Sequence, residues 1–142
     1  PDTTMSKLLI LDNSAEYLSL LTYFQEKKQY AVKALTGAFD VFSEIYNYKP
    51  DLLLLDTFFG GEDGRELCRQ LRNNRETRHV GILILSASTD TLKDYKSFYA
   101  DDFIQKPFNF HMLSDKIKSL LSWIPIRKKA LGDEGDKRLH EL

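Results

Sequence analysis

The chain has 142 residues, which suits a single domain with a full hydrophobic core. Its 20 basic and 21 acidic residues give a formal net charge of −1, without the basic excess typical of nucleic-acid-binding surfaces. Neither a membrane-spanning apolar run nor a signal peptide is visible in the sequence. Cys68, the single cysteine, cannot form an internal disulfide, so we expect a reducing, cytoplasmic setting.

Short apolar runs alternate with amphipathic stretches from residue 7 to residue 124. The runs are too short for membrane spans and lack a helical period, so they predict buried strands. Between them, apolar residues recur with the spacing of one helix face. In chain order we predict strand 7–11, a helix capped near 13 that ends near 28, strand 30–35, a helix between 38 and 49, strand 51–56, helix 64–75, strand 80–85, helix 91–99, strand 102–105 and helix 110–124.

Both ends of the chain are expected to lie outside the domain, which we place at residues 5–124. Residues 1–4 precede Met5 and are interpreted as a cloning remnant. Beyond Pro125 the apolar periodicity stops, so residues 125–142 are predicted to be a flexible C-terminal tail or linker. The predicted helix 91–99 is short and rich in Tyr, Ser and Thr, which favour helices only weakly.

The strand–helix alternation predicts an α/β fold, a single (βα)5 doubly wound parallel sheet with helices on both faces. At this size the flavodoxin-like strand order 2-1-3-4-5 is the common solution. That order places strands 1, 3 and 4 side by side. Their carboxyl ends would then form the edge where such sheets bind ligands.

Polar residues stand where these strands end. Asp12 and Asn13 follow strand 1, Asp56 ends strand 3, Ser86 follows strand 4 and Lys106 follows strand 5. Carboxylates in a cleft favour a hard divalent cation such as Mg²⁺, and a carboxylate can also accept a phosphoryl group as a nucleophile. A lysine and a hydroxyl can bind the phosphoryl oxygens, so the set suits in-line phosphoryl transfer. Each residue alone is equally compatible with a loop cap or a solvated charge.

With these motifs, the segment from residue 7 to about residue 123 resembles the receiver domain of bacterial two-component response regulators (CheY-like). The motifs are Asp12-Asn13 after strand 1, Asp56 with Asp63-Gly64 downstream, Ser86-Ala87, and Lys106-Pro107-Phe108. The resemblance implies that Asp56 accepts a phosphoryl group from the phosphohistidine of a histidine kinase or phosphotransfer protein. It also implies a signalling module and not an enzyme.

The same resemblance implies a ligand set and a switch. Mg²⁺ would be held by Asp12, Asn13, Asp56 and the backbone carbonyl of Phe58. The phosphoryl oxygens would be bound by Lys106 and Ser86.

In such domains the hydroxyl at Ser86 moves toward the phosphate and an aromatic, here Phe103, turns inward behind it. This movement would reshape the surface of the fourth helix, fifth strand and fifth helix, where a downstream partner or a second copy could bind. The sequence itself identifies neither the partner nor an effector domain.

Three positions depart from the family's usual pattern, namely Asn13 for a second acid, Gly60 for a proline and Tyr99 for a glycine. Asn13 can coordinate Mg²⁺ without adding charge, so weaker metal binding is expected. It favours the main alternative, a pseudo-receiver that is not phosphorylated and acts as a protein-interaction module.

A flavodoxin is disfavoured by the acidic loop after strand 1. A haloacid-dehalogenase-type phosphatase is disfavoured because Asp56 lies on the third strand, with Phe58 where that class has a second aspartate.

Overall fold

The computed structural model describes residues 5–12, 16–35, 40–57, 64–89 and 93–141, with side chains omitted at 16–17 and 132–141. Five parallel strands form one sheet in the order β2-β1-β3-β4-β5. The strands are β1 (Lys7–Leu11), β2 (Ala31–Leu35), β3 (Leu52–Asp56), β4 (Gly81–Ser86) and β5 (Asp102–Gln105). The helices are α1 (Glu16–Lys27), α2 (Val41–Tyr48), α3 (Gly64–Asn73) and the C-terminal helix (Phe110–Glu141), with a 3₁₀ helix at Tyr95–Phe98. The predicted α/β fold and strand order are confirmed.

The leucines of β3 are fully buried because helices cover both faces of the sheet. Alternate side chains of a strand point to opposite faces. Leu53 and Leu55 belong to the core cluster that includes Ile45 of α2 and Leu71 of α3. The other two leucines of β3, Leu52 and Leu54, pack with α1 and the C-terminal helix. The sheet is thus the middle of three layers, and its strand ends carry the candidate site.

The ends of α2 follow from single residues. The carboxylate of Asp40 accepts a hydrogen bond from the backbone N–H of Ser43 at 3.1 Å and caps the first turn. Lys49 has a φ of 54°, and its N–H donates to the carbonyl of Ile45. Pro50 follows, and it cannot donate the hydrogen bond that a further helical turn requires. The chain therefore leaves α2 and enters β3.

The described part of the predicted helix 91–99 is not α-helical between residues 95 and 98, where it forms the 3₁₀ helix. Residues 90–92 lie outside the described residues. Phe98 is completely buried, and Tyr99 ends the 3₁₀ helix with a φ of 68°, in the left-handed region. The N–H of Tyr99 donates to the carbonyls of Lys96 and Tyr95. Weak helix formers and this left-handed residue explain the short element.

A Tyr99→Gly variant should be more stable than a Tyr99→Ala variant by about 1 kcal/mol, because glycine adopts positive φ without strain. The two variants lose the same ring, which is 56% exposed, so their difference isolates the backbone term. Chemical denaturation of both variants measures it. Equal free energies of unfolding would show that the backbone at position 99 carries no strain.

The C-terminal helix continues through Pro125 to Glu141, beyond residue 124, where the sequence predicts the domain to end. That residues 125–142 form a flexible tail or linker stays a prediction. Two side chains fix the turns beyond the proline. Arg127 Nη2 donates to the carbonyl of His79 at 2.9 Å, and Arg78 Nη2 donates to the carbonyl of Leu131 at 2.8 Å. These tertiary contacts offset the hydrogen bond that the proline removes.

Asp101 joins this helix to the rest of the domain. Its carboxylate, 9% exposed, pairs with both Arg72 and Arg127 and accepts the N–H of Ile82 at 2.8 Å. Burial lowers the pKa of the Arg72 guanidinium, and the charge of Asp101 opposes that effect. The pairs tie α3, β4 and the C-terminal helix together. Within the described residues, no helix combines the length and apolar character needed to cross a membrane.

Candidate functional site

The polar residues predicted at the strand ends lie along one edge of the sheet. Asp56 ends β3 opposite Leu85 of β4, and Ser86 is the last residue of β4. Asp12 directly follows β1, and its backbone N–H donates to the carbonyl of Leu35 at 3.3 Å. Because all five strands are parallel, their carboxyl ends share this edge, where open α/β sheets bind ligands.

One ammonium group joins two carboxylates at this edge. Lys106 Nζ lies 3.2 Å from Asp12 Oδ2 and 3.4 Å from Asp56 Oδ2. The side chain of Asp12 is 0% exposed, whereas that of Asp56 is 15% exposed. A fully buried carboxylate is costly unless it is paired, so Lys106 stabilises Asp12 in particular. Asp56 is therefore the carboxylate that a reactant from solvent can reach.

The charges and donor atoms of this cluster fit a magnesium ion. Two carboxylates exceed one ammonium in charge, and Mg²⁺ in proteins usually binds one or two carboxylates and keeps several waters. Asn13 and the backbone carbonyl of Phe58, the other predicted ligands, lie outside the described residues. Across the described ranges, no group of three or more His, Cys, Asp or Glu side chains is placed so that it could hold a metal ion. Asp12 and Asp56 are the described carboxylates that would hold the ion, with water in other positions.

Backbone contacts fix the position of the edge. The N–H of Lys106 donates to the carbonyl of Ser86 at 2.9 Å, one residue beyond the end of β5. The N–H of Gly64, the first residue of α3, donates to the carbonyl of Thr57 at 2.7 Å. A Cβ at position 64 would lie 3.0 Å from Thr57 Cα and 3.1 Å from the Asp56 carbonyl oxygen. A side chain at position 64 would therefore require the backbone around Thr57 to shift by a few tenths of an ångström, and glycine lets α3 begin this close to the end of β3.

A buried pair of hydroxyl groups lies at the ends of β3 and β4. Thr57 and Ser86 are 2% and 3% exposed, and Thr57 Oγ1 donates to Ser86 Oγ at 3.3 Å. The N–H of Ser88 donates to the same oxygen at 3.0 Å. Sequence reasoning does not identify Thr57, although it directly follows Asp56. Its contact with Ser86 depends on the register of two strands that are distant in sequence.

Comparison with known families decides the class of this domain. Residues 8–118 match the family model of the response regulator receiver domain. The chain belongs to this family. The predicted resemblance is confirmed, and the chain is a CheY-like receiver domain of the kind found in two-component signalling. Receiver domains are signalling domains, and the family generally binds Mg²⁺ at its phosphorylation site.

Two curated relatives and one solved structure illustrate the similarity. The transcriptional regulatory protein ResD of Bacillus subtilis (strain 168) is 31% identical over 121 residues, which are 84% of this chain and 49% of ResD. The phosphate regulon transcriptional regulatory protein PhoB of Rhizobium meliloti (strain 1021) is 29% identical over 119 residues, 82% of this chain and 52% of PhoB. The chain thus spans about half the length of these relatives. A putative response regulator from Chloroflexus aurantiacus J-10-fl superimposes with a TM-score of 0.75 at 26% identity, covering 84% of this chain and 99% of that one.

The aromatic residue predicted to act in the receiver's switch lies on β5. Phe103 stands opposite Ile84 of β4, so its side chain shares a face of the sheet with Ser86, two residues beyond Ile84. The ring packs against Tyr95 with the centroids 5.0 Å apart, and Lys116 Nζ lies 5.4 Å from its centroid. Phe103 therefore contacts one side chain of the 3₁₀ helix and one of the C-terminal helix.

Proposed function

We propose that this receiver domain takes a phosphoryl group onto Asp56 from the phosphohistidine of a histidine kinase or phosphotransfer protein. The observation that supports this best is the contact of Lys106 with both Asp12 and Asp56 at the strand ends. Asp56 is the acceptor because its carboxylate is partly exposed, whereas that of Asp12 is completely buried. Mg²⁺ is the cofactor in this proposal.

The transfer is an in-line displacement at phosphorus. A carboxylate oxygen of Asp56 forms the new O–P bond as the N–P bond to the donor imidazole breaks, and the imidazole leaves with its electron pair and takes up a proton. Lys106 holds a fixed positive charge beside the reacting oxygens, and the Ser86 hydroxyl donates to a phosphoryl oxygen. When bound, Mg²⁺ supplies further neutralisation of the phosphoryl charge. Asp12, Asp56, Asn13 and the Phe58 carbonyl are its proposed ligands.

The output is proposed to pass through the face formed by the 3₁₀ helix, β5 and the first turns of the C-terminal helix. Phe103 shares a face of the sheet with Ser86 and contacts Tyr95 and Lys116, so it is the residue proposed to carry a change at Ser86 to this face. Both curated relatives named above are transcriptional regulatory proteins about twice as long. We propose that this domain likewise acts on a downstream protein partner or effector domain, and that it does so in the cytoplasm, without binding nucleic acid or membrane itself. A homodimer through the same face is one form that this output can take.

Binding of beryllofluoride, a mimic of the phosphoryl group, tests the proposed site. We expect saturable binding that requires Mg²⁺, with amide chemical-shift changes at Ser86 and Lys106. Chelation of the metal should abolish both. Failure to bind with Mg²⁺ in excess would instead support the pseudo-receiver, the alternative that Asn13 favours.

An Asn13→Asp variant is expected to bind Mg²⁺ about tenfold more tightly, because a second charged ligand follows Asp12. Titration calorimetry on the protein and the variant measures this directly. A tighter affinity of the variant would identify Asn13 as a residue that weakens Mg²⁺ binding. Equal Mg²⁺ affinities of the protein and the variant would contradict that interpretation.

A further inference from the structure

Thr57 Oγ1 donates a hydrogen bond to Ser86 Oγ, and the transfer step proposed above makes no use of it. Both side chains are almost completely buried, at 2% and 3% exposure. A serine oxygen has two lone pairs for accepting hydrogen bonds. Ser86 Oγ accepts one bond from Thr57 Oγ1 at 3.3 Å and another from the Ser88 N–H at 3.0 Å. Both lone pairs are therefore occupied, and the hydroxyl is held from two sides.

Thr57 cannot follow Ser86 if the serine hydroxyl moves toward a phosphoryl group. The carbonyl of Thr57 accepts the N–H of Gly64 at 2.7 Å, and a Cβ at Gly64 would lie only 3.0 Å from Thr57 Cα, so the backbone at Thr57 packs closely against the start of α3. Threonine is also β-branched, so its χ1 angle is restricted. Movement of Ser86 thus breaks the bond and leaves the Thr57 hydroxyl buried without that partner, which is unfavourable.

We propose that Thr57 is a positioning residue that holds the Ser86 hydroxyl in its resting place and so weakens binding of the phosphoryl group. Release of Ser86 breaks one buried hydrogen bond. The free energy of that bond makes binding of the phosphoryl group less favourable. Thr57 therefore sets how far the resting state is favoured over the activated one. The inference rests on the proposed function, because it requires Ser86 to bind a phosphoryl oxygen.

Replacement of the hydroxyl by a methyl group tests this role. A Thr57→Val variant should bind beryllofluoride, with Mg²⁺ in excess, about three- to tenfold more tightly than the natural protein. Thr57→Ser keeps the hydroxyl and should bind as the natural protein does. Thr57→Ala serves as a second hydroxyl-free variant if the valine disturbs packing, and it should also bind more tightly. Affinities are measured by fluorine NMR, with thermal unfolding as a check on the fold.

Repeating the Thr57→Val substitution in a Ser86→Ala protein distinguishes positioning of Ser86 by Thr57 from a general effect on stability. In a Ser86→Ala protein no serine hydroxyl remains to be held, so Thr57→Val should leave the weakened beryllofluoride affinity unchanged. Equal or weaker binding by both hydroxyl-free variants, while the natural protein binds, would overturn the role of Thr57 alone. No binding by the natural protein would overturn the proposed function and this inference with it.

Discussion

A Lys106→Met variant is expected to have a free energy of unfolding lower by about 3 kcal/mol, because it removes the ammonium group that contacts a completely buried carboxylate. Asp12 is 0% exposed and lies 3.2 Å from Lys106 Nζ. Asp56 would add a second negative charge beside Asp12. Methionine keeps the length and apolar stem of lysine, so packing changes little. Chemical denaturation without metal measures the loss.

Magnesium should restore part of that stability, since the ion supplies the missing positive charge to the same oxygens and binds the folded state. Phosphoryl uptake should nevertheless be at least about 100-fold slower, because a fixed positive charge beside the reacting oxygens is lost. Lys118→Met, an exposed position on the C-terminal helix, is the matched control and should change the free energy of unfolding by less than about 0.5 kcal/mol. Unchanged stability of the Lys106 variant with and without Mg²⁺ would show that the three charges do not interact.

An Asp56→Asn variant is expected to incorporate no label from radioactive acetyl phosphate, because a neutral amide cannot act as the nucleophile. The fold should persist. The four leucines before Asp56 are fully buried whatever stands at the strand end, and the contact between Lys106 and Asp12 remains. Circular dichroism checks the fold of the variant.

Asp115→Asn is the matched control, since its carboxylate lies on the exposed side of the C-terminal helix and is 62% exposed. It should incorporate label at the natural rate. Label in the Asp56 variant would point to another acceptor. Asp12 would be the first to test, although its complete burial argues against it.

The parts of this fold that follow from sequence are those that depend on local pattern. An unbroken run of leucines predicts a strand buried on both faces, and regular alternation with helices leaves few sheet topologies. The positions of Asp12, Asp56, Ser86 and Lys106 at one edge follow from the same reasoning, because the ends of parallel strands meet there. Their chemical roles stay predictions.

The parts that do not follow from sequence depend on contacts between distant residues. The C-terminal helix runs past Pro125 because Arg127 pairs with Asp101 and donates a hydrogen bond to the carbonyl of His79. The proline predicts an end to the helix, and the tertiary contacts outweigh it. The bond of Thr57 to Ser86 likewise requires the register of β3 against β4. No spacing within either segment indicates it.

The short element before β5 shows a third kind of difference. Its composition indicates a weak helix, and the structure has a 3₁₀ helix ended by the left-handed Tyr99. Arg72 Nε donates to the carbonyl of Tyr99 at 3.0 Å, and Arg72 also pairs with Asp101. These contacts hold Tyr99 in a conformation that its own side chain disfavours. The sequence predicts a weak helix-forming tendency in this segment, and the tertiary contacts of Arg72 determine the conformation of Tyr99.

The most direct measurement is the intact mass of the natural protein after incubation with phosphoramidate, with and without Mg²⁺. We predict a gain of one phosphoryl group that requires Mg²⁺ and maps to the peptide containing Asp56. No gain in mass with Mg²⁺ present, together with failure to bind beryllofluoride, would contradict phosphoryl acceptance. The domain would then act as a pseudo-receiver, with the same fold serving only to bind a protein partner.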